Sequence, residues 1–119
     1  MTSVFQSDAA TAREMIAGGD GIVLVDFTAA WCPPCRVLEP VLDQLAREAE
    51  DLTVLKVDVD ASPELASAYQ VMSMPTLVFF VEGQPVRRLV GSRGVAALRE
   101  ELVQVRDAIA AESRSRSTR

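Results

Sequence analysis

The segment Ile22-Val23-Leu24-Val25-Asp26-Phe27 is apolar on both parities, apart from Asp26. Successive side chains of a strand point to opposite faces of its sheet. A strand of this composition needs cover on both faces, as in a parallel sheet with helices on each side.

The rest of the chain reads as alternating elements. Residues 36–49 place Val37, Leu38, Val41, Leu42, Leu45, Ala46 and Ala49 at three-to-four spacing, one stripe of a helix. Pro40 falls inside it and predicts a kink. Val54-Leu55-Lys56-Val57-Asp58-Val59 is a second strand. Ser62-Pro63-Glu64 then offers an N-cap, a proline at the first helical position and an acid in the first turn, for a short helix to about Tyr69. Thr76–Val81 is a further strand, Glu82-Gly83-Gln84-Pro85 a turn, and Val86–Val90 the returning strand. Arg87 and Arg88 suit an edge, where charge blocks further pairing. Ser92 is read as the cap of a last helix with Val95, Leu98, Leu102, Val105 and Ile109 on one face. An N-terminal helix from about Asp8 to Ala17 ends at Gly18-Gly19, and a short strand near Val4-Phe5 precedes it. The expected fold is α/β, a mixed central sheet in the order βαβαβ then αββα, with helices on both faces.

A chain of 119 residues suits one domain, taken as residues 1–111, with a flexible polar tail over 112–119. Hydrophobic residues at 49% and charged residues at 24% exclude disorder or a disulfide-dense scaffold for the whole. A net charge of −5 argues against a nucleic-acid surface. Histidine is absent, which removes His-based catalysis and His-ligated metals, and two cysteines cannot close a four-cysteine zinc site. The first fifteen residues lack a basic start followed by an apolar run, so no secretory signal is read there. The longest apolar region, Val71–Val81, is about half the ~20 residues of a membrane helix. A cytoplasmic protein without membrane contact is expected.

The chemistry concentrates at Trp31-Cys32-Pro33-Pro34-Cys35. Both cysteines lie between a buried strand and a helix. In a first helical turn, positions i and i+3 share a side, at a spacing a disulfide accepts. The pair can therefore close and open with little backbone movement, carrying two electrons. Unpaired N–H groups and the positive dipole end favour a thiolate at Cys32, which makes it the nucleophile. Cys35, inside the first turn, is more covered and becomes the resolving thiol. Pro34 has the φ that starts a helix, and Pro33, preceding a proline, is pushed towards extended geometry. Asp26 interrupts an apolar strand. Burial would raise its pKa, and a carboxyl poised near neutrality could exchange a proton with Cys35 through water.

Asp26-Phe27, Trp31-Cys32-Pro33-Pro34-Cys35 and Met74-Pro75-Thr76 together resemble the thioredoxin family, over about residues 4–110. The resemblance implies the thioredoxin fold, with a cis Pro75 opposite the cysteines. It implies reduction of client disulfides, for example in peroxiredoxin-type reductases, by a monomer that binds no cofactor. The oxidised pair would be regenerated from NADPH by a flavin thioredoxin reductase. It assigns proton exchange with Cys35 to Asp26 and places Lys56 beside it to tune that carboxyl. A cis bond would turn the Met74 backbone outward for a client segment to pair with. Trp31, Pro33, Pro34, Met74, Pro75 and Gly91 would then contact the client. Two departures stand out. The commonest thioredoxin has Gly in place of Pro33 and often Trp in place of Thr28, and the Trp-Cys-Pro-Pro-Cys form is similar to tryparedoxin and nucleoredoxin. A different reading remains open, a thioredoxin-fold docking subunit in which redox activity is incidental.

Overall fold

The computed structural model describes residues 4–18 and 21–117. The elements run β1 (Val4–Gln6), α1 (Ala9–Gly18), β2 (Ile22–Thr28), α2 (Pro33–Glu48), β3 (Leu52–Asp58), α3 (Pro63–Ala68), β4 (Thr76–Val81), β5 (Gln84–Val90) and α4 (Val95–Ser117). The strands form one sheet in the order β1-β3-β2-β4-β5. β1, β3 and β2 are parallel, while β4 and β5 are antiparallel to their neighbours. This is the mixed sheet and the element order expected from the sequence.

The parity of β2 explains the layers. Ile22 and Leu24 face one side, where they pack with Leu38, Leu42 and Leu45 of α2 and with Leu98, Leu102 and Val105 of α4. Val23, Val25 and Phe27 face the other, against Ala12 and Ile16 of α1 and Leu65 and Ala66 of α3. Every residue from Ile22 to Phe27 is buried, Asp26 included. Burial of a Leu or Phe side chain stabilises by roughly 1.5–3 kcal/mol. The two apolar layers thus hold β2 in the middle of the sheet, and its C-terminal end delivers the chain to α2.

Several local expectations are corrected. The hairpin turn is two residues, Glu82 and Gly83, both at positive φ (50° and 79°), because such a turn matches the twist of the strands it joins. Gln84 and Pro85 belong to β5 instead of the turn. Pro85 is tolerated because β5 is an edge strand and the register shifts beside it, with Phe79 opposite Arg87 and Phe80 opposite Pro85. Arg87 pairs with Glu101 of α4, so one of the two edge arginines also ties the strand to a helix. Ser92 does not cap α4. That helix starts at Val95, and the Gly94 carbonyl accepts the Leu98 N–H at 3.2 Å. Ser62 stands at the N-cap of α3 with no side-chain capping hydrogen bond. α2 begins at Pro33, earlier than its apolar stripe, so Pro33 is already helical where an extended residue was expected. α4 continues through residues 112–117, where the sequence reading placed the polar tail, and Arg116 pairs there with Glu112 at 2.7 Å. Gly19, Thr118 and Arg119 lie outside the described residues.

Candidate active site

Cys32 is the N-cap of α2, with extended backbone (φ −97°, ψ 107°), and Pro33 and Pro34 occupy the first helical positions. A disulfide joins Cys32 to Cys35, with Cα atoms 5.3 Å apart. The Cys35 N–H donates to Cys32 Sγ at 3.3 Å, and the Arg36 N–H reaches the Cys32 carbonyl at 3.4 Å. The two prolines carry no N–H, so the first backbone donor the helix end presents to the sulfur is the Cys35 N–H. Both cysteines are buried, Cys32 at 3% and Cys35 at 1% exposure, in a small cluster with Ala29 that Val59 and Met74 flank. Cys35 is the more covered of the two, though by little.

The Met74–Pro75 bond is cis. It brings the Met74 carbonyl to 3.6 Å from Cys32 Sγ. The Thr76 hydroxyl donates to the Ser73 carbonyl at 2.6 Å, and the Gly91 N–H donates to the Pro75 carbonyl at 2.9 Å. Gly91 has φ +96°, in the region that favours glycine. These bonds connect the loop before β4 to the loop after β5, so Cys32, Met74, Pro75 and Gly91 are gathered from three segments. Trp31 stands beside them, 62% exposed, with its indole N–H donating to Asp60 Oδ2 at 2.8 Å. Pro33 and Pro34 are exposed on the same helix end.

Asp26 is on β2, the strand that leads into the Trp31–Cys35 segment. Its parity puts it on the α2 side of the sheet, with Ile22 and Leu24. It is fully buried, and neither carboxyl oxygen has a hydrogen-bond partner among the described residues. Burial pushes its pKa up to about 7. Lys56, its register partner on β3, pulls the other way, and Glu39 on α2 adds to the rise. Lys56 is half-buried, which its single-lysine position on a strand left open. An open pocket of about 350 Å³ is lined by Gln6, Thr28, Ala29, Ala30, Cys35, Arg36, Glu39 and Asp58, and its wall does not include Asp26.

Two residues escaped the sequence reading. Asp60 follows a strand end and looks like ordinary surface charge until the fold places it under Trp31. Glu39 carried a usable signal, since it is four residues after Cys35 and so shares its helix face. Among the described residues, no group of three or more His, Cys, Asp or Glu could hold a metal ion, and no helix is long and apolar enough to cross a membrane.

Comparison with known proteins agrees with this geometry. The thioredoxin family model matches residues 3–104. A thioredoxin of Mycobacterium tuberculosis is 51% identical over 100 residues, which cover 83% of this chain and 85% of that protein. A bifunctional thioredoxin reductase/thioredoxin of Mycobacterium leprae is 52% identical over 84 residues, 70% of this chain and 18% of that one. Among solved structures, a mutant thioredoxin from Halobacterium salinarum superposes with a TM-score of 0.77 at 40% identity, covering 82% of this chain and 86% of its own. The matched span contains both cysteines, the buried Asp26 and the cis Met74–Pro75 bond, and the chain belongs to the thioredoxin family as a thiol–disulfide oxidoreductase whose redox pair is Cys32–Cys35.

Proposed function

We propose that the protein reduces disulfides in client proteins, with Cys32 leading and Cys35 resolving. The observation that carries the assignment is the position of Cys32 as the N-cap of α2, its sulfur accepting the Cys35 N–H and facing the Met74 carbonyl. In the reduced protein the Cys32 thiolate attacks one client sulfur. A mixed disulfide forms, and the other client sulfur leaves as a thiolate. Cys35 gives its proton to the Asp26 carboxylate and attacks Cys32 Sγ. The Cys32–Cys35 disulfide forms, the Cys32–client bond breaks, and the second client thiolate departs. Two electrons pass from the dithiol to the client, and Lys56 tunes the acid that takes the proton.

Trp31, Pro33, Pro34, Met74, Pro75 and Gly91 form the docking rim in this reading. An extended client segment pairs with the backbone of Met74 as a strand adds to a sheet edge. Thioredoxins are regenerated by thioredoxin reductase, and the Mycobacterium leprae relative carries both names in one protein. We assign the electrons here to NADPH through a flavin thioredoxin reductase, the clients to disulfide proteins such as peroxiredoxin-type reductases, and the working form to a cytoplasmic monomer of one domain.

The test is insulin reduction with dithiothreitol as electron source. Cys32→Ser abolishes activity, and Cys35→Ser accumulates a covalent adduct with the client, since the resolving thiol is gone. Trapping by Cys32→Ser instead would reverse the two roles. Retained function of the double serine variant in a complex would favour a docking subunit.

A further inference from the structure

The two arginines of β5 go to opposite faces of the sheet. Arg87 shares its parity with Leu89, on the α2 and α4 side, where it reaches Glu101. Arg88 has the other parity, beside its register partner Val78, and so faces the α1 and α3 side. Its guanidinium donates to the backbone carbonyls of Tyr69 and Gln70, to the latter at 3.3 Å. These carbonyls stand at the end of α3, whose C-cap is Tyr69. The last carbonyls of a helix lack intrahelical partners, and a basic side chain can supply them.

That helix end closes as a Schellman turn. The Gln70 N–H donates to the Ser67 carbonyl at 3.0 Å and the Val71 N–H to the Ala66 carbonyl at 2.9 Å. The turn puts Gln70 where glycine is usual, and its φ is +55°. A residue with a Cβ is disfavoured in that conformation. From Gln70 the chain runs straight to the rim. Met72 is exposed, and Met74 follows with its carbonyl 3.6 Å from Cys32 Sγ. Gln70, Val71 and Met72 line an open groove of about 650 Å³ with Val59, which flanks the cysteine cluster. The Thr76–Ser73 and Gly91–Pro75 bonds hold the far end of this segment. The Schellman turn holds its near end, and Arg88 braces that turn from the edge strand.

We propose, on the reading that clients dock against the Met74 rim, that Arg88 is a positioning residue for docking. Its two bonds hold the chain after α3 in a left-handed turn that Gln70 by itself disfavours, and so keep the groove shaped for an extended client segment. Arg88 acts through this loop alone. Its loss lowers the fraction of molecules whose rim is in place, and the apparent affinity for a client falls by that fraction. Attack of Cys32 on a small disulfide, which has no peptide segment to pair, is left as it was.

The test compares the unaltered protein, Arg88→Ala, and Arg88→Ala combined with Gln70→Gly, with dithiothreitol as electron source. Arg88→Ala raises KM for insulin by roughly 3- to 10-fold and leaves kcat nearly unchanged. The second-order rate of its reduced form with 2-hydroxyethyl disulfide, which is small and uncharged, stays the same. Glycine adopts the left-handed turn freely, so adding Gln70→Gly restores the insulin KM although the lost charge is not replaced. Amide hydrogen exchange at Val71, whose N–H closes the turn, is roughly 10-fold faster in Arg88→Ala and returns to the original rate with Gln70→Gly. An unchanged insulin KM overturns the proposal. So does an equal loss with the small disulfide, a raised KM that Gln70→Gly leaves in place, or unchanged exchange at Val71. If the unaltered protein fails to reduce insulin, the reductase reading itself has failed, and Val71 exchange still decides whether Arg88 holds the turn.

Discussion

Asp26→Asn is expected to make the oxidised protein more stable above neutral pH, by an amount that depends on pH in a defined way. The carboxyl has an ordinary value of 3.8 and is raised to about 7 in the folded state, chiefly by burial. Well below pH 3.8 it is protonated whether folded or unfolded, and its ionisation contributes no difference. Between the two values the folded form binds a proton that the unfolded form has released, so stability falls as pH rises through this window. Above about 7 the full cost of a buried carboxylate is present. At about 1.4 kcal/mol per pH unit, the gap between 3.8 and about 7 corresponds to roughly 4 kcal/mol. Asparagine does not titrate, which removes this dependence. The amide is itself polar, and both Asp26 oxygens lack partners. A constant cost of about 1–3 kcal/mol for an unpaired buried group therefore remains in the mutant. The decisive quantity is thus the change in the mutant-minus-parent difference with pH. Urea unfolding of both oxidised proteins at about pH 5 and about pH 8.5 measures it, and the difference should grow in favour of the mutant by some kcal/mol. A difference that stays constant between those pH values would refute the reasoning, because it would mean that Asp26 is solvated or fully compensated by Lys56.

The remaining predictions concern the scaffold and the rim. Gly21→Ala should destabilise more than Gly91→Ala: both have positive φ, but a Cβ at Gly21 would lie 2.6 Å from the Asp51 carbonyl oxygen, whereas nothing lies within 4 Å at Gly91. Thermal unfolding of both variants checks the order, with about 1–2 kcal/mol expected for the conformational cost alone at Gly91. Leu42→Ala, at a fully buried position of α2, should cost about 2–5 kcal/mol in denaturant unfolding. Asp60→Ala should release the Trp31 indole, raising its mobility in fluorescence anisotropy while leaving global stability nearly unchanged, since the bond is exposed.

Much of this protein was legible before any coordinates. A run at Ile22–Phe27 that is apolar on both parities, Asp26 excepted, demands cover on both faces, and the fold buries all six residues. The stripe of α2 and the spacing of Cys32 and Cys35 are local matters, set by the helical repeat, and they hold in the fold except at the stripe's ends, where Val37 is exposed and Ala49 caps the helix from outside it. Local reasoning failed where a neighbour decides the outcome. Pro85 became a strand residue because β5 is an edge with a register shift, which the residues themselves do not announce. Ser92 looked like a cap, but the Gly91–Pro75 hydrogen bond holds that loop to the segment before β4, and the helix starts later. The site divides in the same way. Nucleophile, resolving thiol and buried acid are written in residue type and spacing. The approach of Met74 to Cys32, the support of Trp31 by Asp60, and the pocket that Cys35 shares with Gln6 and Asp58 join segments distant in sequence. Those joins depend on the sheet bringing the ends of β2, β3 and β4 together, a consequence of packing that a reading of one residue after another cannot supply.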